Sequence, residues 1–156
     1  MSYRIYEYET YSKIVYENEL NDCRIILQVY PKNVVLDSYL HSDINQFSRG
    51  YKKLKFKVIL NLIESGESES GFARKILCDM ITKLISSNDF NVTIDDTMIL
   101  HACGRVNGSD YLTLINMYKR MGFEVIATIR DESFFNCDTY MGTTLKTLLS
   151  WCNTRF

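Results

Sequence analysis

The chain of 156 residues is 46% apolar and 24% charged, with a formal net charge of -1. That length fits a single folded domain (1–156) able to bury a sizeable core, and the balanced charge excludes a general attraction for nucleic acid or anionic membrane. No apolar run reaches the roughly eighteen residues of a membrane span, and MSYRIYEYET lacks the apolar core of an export signal, so the expectation is a cytoplasmic protein.

In chain order, residues 3 to 30 read as largely extended, and Cys23 to Tyr30 (CRIILQVY) is a strand by its β-branched and aromatic content. Asn21-Asp22 and Pro31-Lys32-Asn33 are the turn signals on either side. Leu36 to Phe47 reads as a short helix with Leu36, Tyr39, Leu40 and Phe47 on its apolar side. Lys52, Lys53, Lys55 and Lys57 read as the solvated start of the next strand.

That strand, Phe56 to Ile63, is continuously apolar without strict alternation, as expected when both faces are covered. A loop with two glycines follows, and a helix opens near Gly71 and runs to Ser86. Phe72, Ile76, Met80 and Leu84, with Leu77, Ile81 and Ile85, make its apolar face. Strand, loop and helix start leave several backbone N–H groups aimed at one place, which suits an anion.

Ser86 to Asp89 is a loop, followed by an extended segment over Val92–Ile94 and a strand over Met98–Cys103. Gly104 to Ser109 is a second loop, and Ser109 or Asp110 caps a helix from about Asp110 to Met121. Gly122 supplies a left-handed stop. Phe123 to Ile129 is a strand, a polar stretch leads to Thr139-Tyr140-Met141, and Thr143 to Cys152 is a terminal helix. Cys23, Cys78, Cys103, Cys137 and Cys152 are odd in number and lack a CxxC pair. That argues against a disulfide framework or a metal site and for buried free thiols.

Two stretches carry a family resemblance. Ser68-Glu69-Ser70-Gly71-Phe72-Ala73 followed by Arg74-Lys75-Ile76-Leu77 resembles the acetyl-CoA loop of the GCN5-related N-acetyltransferase (GNAT) superfamily, written Gln/Arg-x-x-Gly-x-Gly/Ala. Gly71 and Ala73 match, and Ser68 stands where the family has Gln or Arg. Tyr118-Lys119-Arg120-Met121-Gly122-Phe123 resembles the family's Tyr-x-x-x-Gly-Phe signature. The resemblance spans Lys55 to about Ile129 and extends loosely to Tyr140-Met141.

The resemblance implies an α/β fold of GNAT type, a single domain with a mixed central sheet flanked by helices. It implies acetyl-CoA as cofactor and direct acetyl transfer to a primary amine of a small molecule or protein in a ternary complex. Parallel strands Phe56–Ile63 and Met98–Cys103 would splay to admit the pantetheine arm, with backbone groups of Leu62 and Ile63 pairing with it. Residues Ser68 to Arg74 would hold the pyrophosphate. Tyr118 would act as general acid toward the thiolate, and Glu64 or His101 would accept the amine proton.

Other readings stay open at this point: an inactive GNAT-fold binding protein, favoured by Ser68 and the acidic Glu64, Glu67 and Glu69, and a STAS-like interaction domain. Tyr118 could equally be a core aromatic, Glu64 a solvated loop carboxylate and His101 a satisfied strand residue. The exposed face of the terminal strand and helix could pair two copies into a homodimer.

Overall fold

A computed structural model describes residues 3–18, 23–36, 54–64, 72–105, 109–131 and 136–154. Its strands are β1 (Arg4–Glu7), β2 (Ser12–Asn18), β3 (Cys23–Val35), β4 (Lys55–Glu64), β5 (Thr97–Arg105), β6 (Glu124–Asp131) and β7 (Asn136–Thr144). The helices among the described residues are α1 (Phe72–Ser86), α2 (Ser109–Arg120) and α3 (Leu145–Cys152). The described strands form one seven-stranded sheet in the order β1-β2-β3-β4-β5-β7-β6. β4 and β5 are parallel, and the pairs β1–β2, β2–β3, β3–β4, β5–β7 and β6–β7 are antiparallel.

The apolar run of β4 is explained by burial on two sides. Val58 and Leu60 join the larger core with Leu27, Met98, Leu100 and Met141, beneath Ile76, Leu77 and Ile81 of α1, Ile115 and Tyr118 of α2, and Leu145 and Leu148 of α3. Ile59 joins a smaller core on the other face with Phe56, Ile99, Ile126, Ala127 and Leu36. A strand with apolar partners on both faces gains nothing from alternation.

Several sequence expectations shift. Pro31-Lys32-Asn33 is not a turn between elements but part of β3. The β3–β4 register passes from Val29↔Val58 to Val34↔Phe56, so Tyr30 to Asn33 face Lys57 alone. Proline lacks the N–H that a regular ladder needs and is accommodated where the ladder is interrupted. Lys57, opposite this bulge, is 5% exposed and its ammonium donates to the Asn91 carbonyl, so it is not a solvated lysine. Lys55 is exposed as expected, whereas Lys52 and Lys53 lie outside the described residues.

Val92–Ile94 belongs to a turn rather than a strand: the Thr93 N–H donates to Asp96 Oδ2 at 2.8 Å and the Asp96 N–H to the Thr93 carbonyl at 3.1 Å. β5 runs on through Gly104 and Arg105, paired with Cys137 and Asn136. The terminal helix starts two residues later than its composition suggests. Thr144 is extended and its side chain accepts from the Thr147 N–H, which ends β7 and caps α3 in one residue. The first N–H groups of α3 donate to the carbonyls of Asp96 and Ile94 at 2.9 and 2.8 Å. Of the helix expected over 36–47, only Leu36 is described. It is buried, and its N–H donates to the Leu54 carbonyl.

The cysteine expectation is overturned for one pair. Cys78 of α1 and Cys152 of α3 are joined as a disulfide across a sequence separation of 74. Spacing along the chain could not show it, because the pairing depends on two helices lying side by side on one face of the sheet. Cys23 is a buried free thiol, as expected.

Candidate cofactor site

The site begins at a break in the sheet. β4 and β5 pair in parallel over Val58↔Met98, Ile59↔Ile99 and Leu60↔Leu100. Beyond that point each strand continues with its outer neighbour. Leu62, Ile63 and Glu64 pair with Ile26, Ile25 and Arg24 of β3, while His101 to Arg105 pair with Tyr140 to Asn136 of β7. The two inner edges therefore part after Leu60 and Leu100 and form a V that opens toward the carboxyl ends of both strands.

An irregularity in β4 coincides with the divergence. The β3–β4 register steps from Leu27↔Leu60 to Ile26↔Leu62, which leaves Asn61 as an extra residue in β4. An extra residue of this kind bends its strand and increases local twist. Its side chain is fixed, since Nδ2 donates to Gln28 Oε1 at 2.7 Å and Gln28 Nε2 donates to the Tyr30 hydroxyl at 2.8 Å. The signal in the sequence was a lone amide inside an otherwise apolar strand, KFKVILNLIE.

Two of the helices, α1 and α2, start at the end of the sheet where the V opens. α1 follows β4 and α2 follows β5, so both helix starts lie beyond the carboxyl ends of the splayed strands, where unpaired N–H groups favour an anion. Ser68, Glu69, Ser70 and Gly71 lie outside the described residues. Leu62, Ile63, Glu64 and Phe72 are placed by their backbones, the first three on β4 at the split and the last at the opening of α1. Ala73 is buried against the sheet.

Arg74 is engaged elsewhere in this structure. Its guanidinium donates to the carbonyls of Trp151 and Thr154, the latter at 2.7 Å, and lies 4.6 Å from the Trp151 ring centroid.

Tyr118 lies in the last turn of α2, 7% exposed, with its ring edge-on to Phe123 at 5.8 Å between centroids. Nine residues of helix carry it about 14 Å from the start of α2. The strands part about 17 Å below the end of β5, so the tyrosine comes to the level where the V begins, in one cluster with Leu60, Leu100 and Ala102. Burial raises its pKa, which keeps the phenol protonated at neutral pH. Gly122 then ends the helix with a φ of +102°, the left-handed stop expected of it.

His101 is the first residue of β5 past the last parallel pair. It is exposed and stacks on Tyr140 of β7 at 4.4 Å with the rings 8° from parallel. Tyr140 packs on the smaller core, the face away from α1, α2 and α3. His101 and Tyr118 thus flank the V from opposite faces of the sheet, and Tyr140 is the contact that sequence spacing could not supply.

A cavity of about 270 Å³ at the β1–β2 turn is lined by Glu7, Glu9, Tyr11, Tyr30 and Asp89 among others. It adjoins Val29 and Ser12, level with Val58, and so lies toward the end of the sheet where β4 begins, away from the V.

No protein-family model matches the sequence, and no curated protein matches it. Among solved structures, a protein from Desulfovibrio desulfuricans assigned to the GNAT family of acetyltransferases aligns with a TM-score of 0.52. The alignment has 11% identity and covers 87% of this chain and 69% of that one. The chain has the GNAT fold. At that identity the likeness speaks for the fold alone, a mixed sheet flanked by helices. What the V holds is a question of its chemistry.

Proposed function

We propose that the protein is an N-acetyltransferase that binds acetyl-CoA along the V between β4 and β5 and acetylates a primary amine. The observation that carries this reading is the pair of inner strand edges that part after Leu60 and Leu100. Peptide groups of Asn61 to Glu64 along one edge can pair with the amides of a pantetheine arm, as a strand would. The GNAT fold supports the same cofactor.

Acetyl-CoA, when bound, supplies an acetyl group activated as a thioester. The chain's contribution is to orient it and to manage protons. Leu62 and Ile63 hold the arm through backbone groups, and the start of α1 with residues Ser68 to Ala73 and the backbone of Arg74 receives the pyrophosphate, the Arg74 guanidinium being engaged with Trp151 and Thr154. Tyr118 holds a proton at its phenolic oxygen at neutral pH and is the general acid of this reading. The amine must arrive without its extra proton, since an ammonium has no lone pair, and Glu64 at the end of β4 or His101 across the V accepts that proton. The His101–Tyr140 stack fixes the imidazole plane beside the split.

Acetyl-CoA at millimolar concentration should raise the melting temperature, and adenosine with free pantetheine should do so less. An acetyl-transfer assay over diamines, free lysine and peptide N-termini then names the acceptor. Absence of both stabilisation and transfer overturns the reading.

A second reading is a GNAT-fold protein that binds without catalysis. It draws on Ser68 at the first loop position and on Arg74, whose guanidinium is committed to the C-terminal segment. Stabilisation by acetyl-CoA without turnover on any amine favours it.

A further inference from the structure

The segment that holds Arg74 is itself fastened to α1. Cys78 stands one turn after Arg74 on the same helix face and is bonded to Cys152, with the two Cα atoms 5.8 Å apart. Arg74 takes the carbonyls of Trp151 and Thr154, on either side of that cysteine. Disulfide, guanidinium bonds and the cation–π contact with Trp151 therefore act on the same four residues. On its other side the segment borders a cavity of about 470 Å³ lined by Met117, Arg120, Met121, Trp151 and Thr154. The end of α3 is thus tied to α1 through Trp151, Cys152 and Thr154, with Trp151 also resting against the larger core. Both cysteines are half-buried, within reach of a small thiol or disulfide.

We propose that Cys78 and Cys152 are a reversible thiol–disulfide modification site, and that the oxidised state seen here keeps the C-terminal segment on Arg74 and away from an anionic cofactor. This rests on the acetyl-CoA reading above and assigns a regulation to the same site. A low-molecular-weight disulfide such as glutathione disulfide is the oxidant. One cysteine thiolate attacks it and expels one glutathione thiolate, and the second cysteine thiolate attacks the mixed disulfide and expels the other. Two protein thiols give up two protons and two electrons, and one glutathione disulfide becomes two glutathiones. Reduction runs the same exchange backward, and in a compartment kept reducing the bond cycles rather than persists. Once it opens, Trp151 to Thr154 can leave α1 and the guanidinium can turn to the start of its own helix, where a pyrophosphate is favoured.

Two readouts on the full chain test this. Trp151 is the single tryptophan in the sequence and reports on the latch directly. Reduction with dithiothreitol should at least double its acrylamide quenching constant, Cys152→Ser should show the higher value in both redox states, and mass mapping after glutathione disulfide should find the Cys78–Cys152 link. Titration calorimetry with acetyl-CoA should give at least fivefold tighter binding to the reduced protein, with no redox effect in Cys152→Ser. Equal affinity in the two states, unchanged quenching on reduction, or no link after oxidation each overturns the switch. If acetyl-CoA binds neither state, the cofactor reading falls, and the quenching still decides whether the latch opens.

Discussion

The guanidinium of Arg74, in the first turn of α1, closes on Trp151 at the end of α3, bonding to its carbonyl and lying 4.6 Å from its ring centroid. A charged, planar donor meets two carbonyls and an aromatic face at once, which lysine cannot reproduce. Arg74→Ala should lower stability by about 1–2 kcal/mol, the scale of a charge-assisted hydrogen bond with a cation–π contact. Arg74→Lys should recover less than half of that. Urea unfolding monitored at Trp151 measures both, and an Arg74→Ala protein as stable as the parent would mean the contact contributes nothing.

The Cys78–Cys152 bond closes a loop with a sequence separation of 74 that contains β5, α2, β6, β7 and α3. On the chain-entropy account a closure of that length is worth about 4 kcal/mol, so reduction should lower the melting temperature by roughly 10 °C. Cys152→Ser should melt where the reduced parent melts and ignore reductant. Identical melting of parent protein with and without dithiothreitol would contradict this.

Gly122 tests the turn between α2 and β6. Its φ is +102°, and a Cβ there would stand 2.6 Å from Thr147 Cγ2 of α3. Gly122→Ala should cost at least about 2 kcal/mol from backbone strain and crowding together. Adding Thr147→Ser removes the methyl group but keeps the hydroxyl that bonds Thr144, so the double variant should regain only the crowding share. Full recovery would show that the positive φ carries no cost.

Acid should loosen the attachment of the N-terminus to α1. The Tyr3 hydroxyl donates to Asp79 Oδ2 and Lys83 lies 3.4 Å from the same oxygen. Chiefly through the Tyr3 bond, and then through Lys83, the Asp79 pKa is held below its ordinary value. A depressed folded-state pKa contributes stability in full above the unfolded value, about 3.9, and loses it as pH falls through the folded value. The gap in melting temperature between the parent and Asp79→Asn should therefore be constant from pH 7 to about 5 and close below about 4. A gap that widens in acid would contradict the assignment.

The sequence made the order of elements from Lys55 onward legible because its periodicities are local. An apolar run marks β4, one helical face marks α1, and a tyrosine before a glycine marks the end of α2. What it could not display is pairing. Asn61 becomes a bend only when its β3 partners skip it, Pro31 becomes a bulge only opposite Lys57, and Cys78 meets Cys152 only once α1 and α3 share a face. The positions of Tyr118 and Glu64 follow from strand and helix ends and were readable. Tyr140 beside His101, and the capture of Arg74 by Trp151, depend on cross-sheet and interhelix register and were not.

Turnover isolates the role of one side chain. Tyr118→Phe removes the phenolic proton and leaves the ring against Phe123. It should lower kcat by about 10²-fold or more while leaving acetyl-CoA affinity within about twofold, in line with loss of a general acid. Unchanged kcat would return Tyr118 to the core.

The central claim, that a cofactor lies in the V between β4 and β5, is tested most directly by amide hydrogen exchange with and without acetyl-CoA. Protection should rise along Asn61 to Glu64 and at the start of α1, while Val58 to Leu60, already paired to β5, should change little. Protection that leaves β4 beyond Leu60 untouched, at saturating acetyl-CoA, would contradict the account.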